Sequence, residues 1–484
     1  MPSKNDTEVV QAFRPATRGG PEGPHYARAT LSIGARLDQL PITRAHLAIV
    51  AIAGVGTFFD LFDIFLAGVL GTVLTDRFHL DRVSLPLVLA SGFLGMFLGA
   101  LGLGMMADRL GRRRAFLLNL TIYSIFTLLG AFATSARMLI ATRFAAGIGI
   151  GAELPLVDAY LSELLPRQQR GRYTALAYTI GFVGVPAVGF LARLLVPRQP
   201  LGIDGWRWIF VAGSAGGAII WWLRRQLPES PRWLESKGRF ADADAVVAHL
   251  AGTRTSLVAE PTRHSVEPIP TREPALTVLF SSHYSGRTAV LWVFQVFQSV
   301  GYYGFGTLVP LVLASKGFSV VNSLTYVSAV YVGYPLGSAL SIPIVERLDR
   351  RWLIVASAIL MAVLGLALGL ASAPTMILAF GLSYTIVSNI FSNAFHIFQA
   401  EIFPTAVRAT ATSTAYGLSR LSSAAMPFVL LPLLEHSGAP AMFTAVAIAM
   451  LIVVVDIGVF APSTTGRSLE RLAAADPPLN DSSA

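Results

Sequence analysis

The 484-residue chain has no cysteine, only three lysines, and few charges of either sign: Asp, Glu, Lys and Arg together make up 13% of it. Without cysteine there is no disulfide, no thiolate metal site and no cysteine nucleophile. A soluble domain carries about 25% charged residues. Here the charges sit in clusters, separated by stretches with almost none. Those stretches reach the roughly 20 residues that cross a bilayer as a helix. Over the whole chain 54% of residues are apolar and the mean hydropathy is +0.60, which excludes a soluble globular fold. A Walker-type phosphate loop, a nucleophile–base pair and a cluster of metal ligands are also missing. Neither an ATP-driven pump nor an enzyme is therefore expected, and no cofactor or metal. The net charge of +9 would suit nucleic acid, but the basic residues lie in short loops between apolar spans, and no nucleic-acid partner is expected.

What is present is an all-α membrane protein of twelve spans. The hydropathy pattern predicts helices α1 to α6 near 47–74, 85–107, 115–134, 138–161, 174–195 and 207–227, and α7 to α12 near 287–313, 323–345, 352–371, 374–399, 410–434 and 440–461. Residues 1–44 are polar, with Pro, Gly and Arg and no apolar core of signal-peptide type, and read as a disordered cytoplasmic tail. The expected domains are a six-helix half over 45–227, a cytoplasmic linker over 228–286, a second half over 287–462 and a tail over 463–484. Within the linker, Arg232–Leu250 has helical periodicity. Of the 37 basic residues, 28 fall on the side of the termini, seven on the opposite side, and two, Arg143 and Arg420, inside helices. The positive-inside rule then places both termini in the cytoplasm of a bacterial inner-membrane protein.

The halves repeat. Asp108-Arg-Leu-Gly-Arg112-Arg resembles Glu346-Arg-Leu-Asp-Arg350-Arg. Glu163-x2-Pro166-x3-Arg170 matches Glu401-x2-Pro404-x3-Arg408, and Tyr178 matches Tyr416. All three pairs share one offset and occupy the same loop or helix of their half, as in transporters built from parallel repeats with a midplane site. Gly104-Met-Met-Ala-Asp108-Arg-Leu-Gly111-Arg-Arg-Arg114 resembles the loop 2–3 signature of the major facilitator superfamily. Arg143-x3-Gly147-x-Gly149-x-Gly151, Pro228-Glu-Ser-Pro-Arg232 and Pro462-Ser-Thr-Thr-Gly466-Arg resemble its sugar-porter-like branch. The resemblance covers about residues 45–470. Two hexose signatures are replaced, however: α7 has Gln295-Val-Phe-Gln298-Ser-Val-Gly301-Tyr-Tyr and α10 has Ser388-Asn-Ile-Phe-Ser-Asn393-Ala-Phe-His396. Phe58-Phe-Asp60-Leu-Phe-Asp63 and Gly417-Leu-Ser-Arg420 are more similar to metabolite:proton and aromatic-acid:proton symporters. The resemblance implies a secondary active transporter, a proton-coupled symporter of a small organic or aromatic acid. An antiporter exporting a drug or metabolite and a sugar porter are the alternatives. The implied partners are a small-molecule substrate, protons and the lipid bilayer, with the chain acting as a monomer.

Charges inside the bilayer are costly unless paired or wet, so they are the candidate functional residues. Asp60, about 21 Å along α1, matches the depth of Arg143, roughly 8 Å down α4. A pair of Asp60 with Arg143 is expected, either as the proton-coupling site or as a fixed lock. Asp63 is expected nearer the interface, hydrated and secondary. Glu153, two residues before Pro155, is a second proton station or caps the kink. Asp158 and Asp456 are placed at the inner headgroups. Gln295, Gln298, Tyr302, Tyr303, Asn393, His396 and Arg420 are the candidate substrate contacts. Arg420 suits a carboxylate, or pairs with a helix carbonyl or another acid; His396 suits a proton relay, or is a hydrogen-bonded core residue; for the tyrosines packing is the alternative. Asp108, Arg112, Glu163 and Arg170, with Glu346, Arg350, Glu401 and Arg408, are read as a reversible ion-pair gate at the cytoplasmic helix ends.

Overall fold

In the computed structural model of the chain the described residues are 33–166, 168–252, 275–282, 284–345, 347–403 and 405–462. They contain helices and no strand. Ten continuous helices are long and apolar enough to cross a bilayer. One of these is two spans, α11 and α12, because Gly438 at φ +78° interrupts the helical run from Thr405 to Val455. Gly205–Arg224 supplies α6, which brings the total to twelve. The other spans are α1 Arg44–Val69, α2 Ser84–Leu110, α3 Arg112–Ala131, α4 Ala136–Leu164, α5 Arg170–Leu195, α7 Ser285–Ser315, α8 Val320–Val345, α9 Arg350–Leu370 and α10 Pro374–Glu401. A helix satisfies its own backbone polar groups, which the bilayer core cannot.

Helices α4, α5 and α8 each break once, at Ala152, Val183 and Val332. Every break falls three residues before a proline (Pro155, Pro186, Pro335). The missing proline N–H removes the bond to the carbonyl four residues back. The first break falls between Arg143 and Glu153, so these two charged residues of α4 stand on separate helical segments.

Small residues set how closely the helices approach. A Cβ at Gly147 would run into the Gly92 carbonyl, and one at Gly151 into that of Met96. Gly147 and Gly151 of the α4 glycine motif are thus the surface on which α2 lies, as small-residue seams do in membranes, while Gly149 abuts the Asn119 and Tyr123 backbone of α3. In α5, Gly181 abuts Thr57 and Gly184 the Phe58 backbone of α1, while Gly189 abuts Ser328 of α8. Packing accounts for these three. Between the halves, α2 lies on α11 and α5 on α8, and Gly68 of α1 meets the Thr307 backbone of α7.

Both described chain ends and the described linker segments 228–252 and 275–282 lie at one face, here the terminal face. A small helical layer covers it. The expected disordered stretch to residue 44 is helical from Ile33 to Gln39, because Ile33 and Leu37 are buried against Leu234, Ala243, Val247 and Leu250. An Arg36–Asp244 ion pair and a Thr43 Oγ1 bond to the Leu250 carbonyl (2.8 Å) fasten it. The expected helix over 232–250 is two, Pro231–Ser236 and Phe240–Ala251, divided at Gly238 with φ +73°. Glu229 of the Pro-Glu-Ser-Pro motif accepts the backbone N–H of Arg112 (2.8 Å) and of Arg113 (3.2 Å). It thereby caps α3 where four N–H groups would otherwise lack partners. At the far face Asp81 precedes α2 and accepts from Ser84 N (2.7 Å), Ser84 Oγ (2.6 Å) and Val83 N (3.1 Å). These bonds hold its carboxyl below the usual value of 3.8.

Candidate functional site

The Arg143 guanidinium pairs with Asp63, not with Asp60 as expected. Nη1 donates to Asp63 Oδ2 at 2.5 Å and Nη2 to the Asp63 carbonyl at 3.0 Å. The side chains are 4% and 0% exposed, so Asp63 is also neither interfacial nor hydrated. The depth match of the Cα atoms omitted one effect. A helical side chain leans toward the N-terminus of its own helix. On α4, which runs from the far face to the terminal face, that lean carries the guanidinium up one turn, from the level of Asp60 to that of Asp63.

Asp60 is buried too, and its Oδ2 has no hydrogen-bond partner among the described residues. Its nearest charges are Arg224 of α6 and Asp63. Glu153 is ion-paired with Arg224 and accepts from Asn119 Nδ2 at 3.4 Å. Arg224 stacks over the Phe116 ring at 4.2 Å and fills the space that a Cβ on Gly56 would need, one turn below Asp60. In sequence Arg224 is one of the 28 basic residues on the side of the termini. Two signals mark it as buried. It shares a face of α6 with Gly213, Gly217 and Ile220, and its lean toward the start of α6 draws it into the bundle. Arg225, its neighbour, points outward over Trp221.

A second cluster lies where the halves meet. The Arg420 guanidinium of α11 is 1% exposed. It sits over the rings of Tyr416 (4.3 Å) and Tyr303 (4.7 Å) and touches the Tyr416 hydroxyl. Its Nε and Nη1 have no hydrogen-bond partner, and it joins no ion pair among the described residues. Tyr303 packs edge-on against Phe93 of α2 (5.4 Å) and against Tyr302 (5.0 Å). Tyr302 faces Asn389 and Ser392 of α10. His396 stacks on Tyr178 of α5 at 5.4 Å, and the Tyr178 hydroxyl donates to Asp158 of α4 at 2.7 Å. Asp158 therefore faces the inter-half space rather than the headgroups. Tyr178 and Tyr416, the repeat-related pair, contribute one ring from each half. Neither was singled out as a site residue. Their shared offset was the signal that could have done so.

The remaining candidates serve one half internally. Asn393 donates to Ser338 Oγ (3.1 Å) and Ser341 Oγ (2.6 Å) of α8. Gln295 donates to Gln399 (2.8 Å), and Gln298 donates to Gln295 (2.9 Å) and Ser419 (3.3 Å). At the terminal face Arg112 pairs with Glu163 at 3.0 Å. Arg170 donates to the Leu165 carbonyl (3.3 Å) and lies 3.8 Å from Asp38. Arg350 opens α9 just after Asp349, which accepts the Arg351 N–H at 2.9 Å. Glu346 lies outside the described residues, as do the side chains of Asp108, Glu401 and Arg408.

Two buried charge clusters thus lie inside a twelve-helix bundle. Comparison with known proteins gives the family. The model of the family described as "Sugar (and other) transporter" matches residues 48–475. The chain is similar to the putative metabolite transport protein YyaJ of Bacillus subtilis, at 35% identity over 399 residues, covering 80% of this chain and 86% of the relative. It is also similar to the niacin transporter NiaP of Acinetobacter baylyi, at 26% identity over 448 residues, covering 91% and 100%. In fold it is like the solved structure of the xylose transporter XylE from E. coli in a partially occluded inward-open conformation. There the TM-score is 0.70 at 20% identity, covering 88% of this chain and 100% of that one. The chain is a multi-pass membrane transporter, not an enzyme, and belongs to the sugar (and other) transporter family of the major facilitator superfamily.

Proposed function

We propose that this transporter carries a small organic acid, an aromatic carboxylate in preference to a hexose, together with a proton. One complementarity supports the reading: among the described residues, Asp60 in one half and Arg420 in the other are buried charged groups that join no ion pair. Asp60 is buried while the nearby Arg143 is occupied by Asp63. Arg420 is buried with two nitrogens free. A proton satisfies the first and a carboxylate the second, and each site left empty holds a charge that the bilayer interior disfavours. The rings of Tyr303, Tyr416, Tyr178 and His396 give flat apolar walls around the cation, as a small-molecule pocket needs. The replaced hexose signatures of α7 and α10, and the likeness to a transporter of niacin, a pyridine carboxylic acid, favour the same substrate class. In this reading the terminal face is cytoplasmic, and Arg112–Glu163 belongs to the gate on that side.

Purified protein in liposomes tests the proposal, with labelled nicotinate, benzoate, gallate, glucose and xylose offered at acidic outside pH. Aromatic acids should accumulate only while the pH gradient stands, and excess glucose should not compete. Strong glucose uptake, or accumulation of an acid that ignores the gradient, would overturn it.

A further inference from the structure

The buried charge of the amino-terminal half is odd by one. Three acids, Asp60, Asp63 and Glu153, face two cations, Arg143 and Arg224, and all five residues are at most 3% exposed. A polar stripe on α3 joins them into one network. Thr127 donates to Asp63 (3.4 Å) and Asn119 to Glu153 (3.4 Å). Between the two stands Tyr123, whose hydroxyl is held by the Gly213 carbonyl at 3.0 Å and whose charged neighbours include Asp63, Asp60 and Arg143. These positions, 119, 123 and 127, are one turn apart, so the stripe spans about 12 Å.

Unused bonding capacity lies on Asp60 and on Arg224 alike. Asp60 Oδ2 is buried and unpartnered, and so are Nε and Nη2 of Arg224. Arg224 and Asp60 are also electrostatic neighbours. Among the described residues, the charged neighbours of Asp60 are Arg224 and Asp63.

We infer that Asp60 and Glu153 share one cation, Arg224, and one proton, so that the buried network of the amino-terminal half binds a single proton whose presence is fixed by charge balance and not by one residue alone. When Asp60 holds the proton, Arg224 serves Glu153. When Asp60 releases it, the free donors of Arg224 turn to Asp60. An uncompensated buried charge is strongly unfavourable, so any change in the count of acids or cations changes the number of protons held. This inference rests on the reading of Asp60 as the proton carrier and adds two partners to it, Glu153 and Arg224.

The test reads the proton without any substrate. Infrared difference spectra of the purified protein in lipid at neutral pH report the C=O stretch of a buried protonated carboxyl and its shift in D2O. Relative to wild type, Asp60→Asn and Glu153→Gln should each lose the band of one carboxyl, because two acids then balance two cations. Adding Arg224→Gln to either should restore one band. In the Asp60→Asn background the restored proton sits on Glu153, and in the Glu153→Gln background it sits on Asp60. A band that survives Glu153→Gln, or that Arg224→Gln fails to restore in both folded double variants, overturns the inference. The double variants keep the net charge of the wild-type network, so loss of folding in one leaves the other to decide. Proton-driven transport is measured separately. Absence of such transport with bands that follow the odd charge would reject the symport reading and leave this inference standing.

Discussion

Removal of the Arg143 guanidinium gives the sharpest energetic test of how the amino-terminal half is held together. In Arg143→Gln the Asp63 carboxylate stays wholly buried and loses its partner, which costs about 3–5 kcal/mol for a buried pair. An independent route gives a similar figure. Asp63 must take a proton at pH 7, about three units above the ordinary aspartate value of 3.9, and each unit is about 1.36 kcal/mol, so the cost is about 4 kcal/mol. The folded variant then binds a proton that the unfolded chain does not, so its stability falls as pH rises. The penalty should therefore shrink by about 2.7 kcal/mol between pH 7 and pH 5. Thermal unfolding in detergent micelles at the two pH values measures this directly. Adding Asp63→Asn should recover most of the loss at pH 7. An Arg143→Gln protein as stable as wild type, or a penalty that does not change with pH, would refute the reasoning.

Other consequences are as direct. Arg420→Lys keeps the charge but removes the planar fork and should weaken uptake of an aromatic acid roughly 10- to 100-fold in apparent affinity, the range for a charge-assisted contact. Concentration-dependent uptake into liposomes checks this. Glu229→Ala strips the cap from α3 and should cost about 1–2 kcal/mol, seen as a lower melting temperature with no change in substrate preference. Asp81 accepts three bonds that hold its carboxyl below 3.8, so its contribution is complete above that pH and is lost as pH falls through the lower folded value. Asp81→Asn should lower the melting temperature at pH 7 and should match wild type in strong acid.

The fold was legible because a bilayer leaves few choices. Twelve apolar stretches of span length, a repeat at one offset and a basic bias toward one side were each readable from the chain, and the boundaries of most spans lie within a few residues of those expected. The sites were legible by residue type and not by partner. Asp63 and Arg143 were both singled out, yet their pairing depended on the direction in which a helical side chain leans. Arg224 escaped because a cation at the end of a span looks the same in sequence whether it faces water or the bundle. Asn393 was named for its polarity, but rotation of α10 turns it onto Ser338 and Ser341 of α8. Inter-half contacts such as Tyr178 with His396 depend on how two halves dock, which no local pattern encodes.

Whether Asp60 carries the coupled proton is decided by one comparison in the same liposomes. Gradient-driven accumulation of a labelled aromatic acid is measured beside its counterflow exchange, for wild type and for Asp60→Asn. The variant imitates a permanently protonated carrier. It should lose accumulation, because a net cycle needs the proton to leave, and it should keep exchange, in which the loaded carrier shuttles without deprotonating. Full gradient-driven accumulation by Asp60→Asn would contradict the claim.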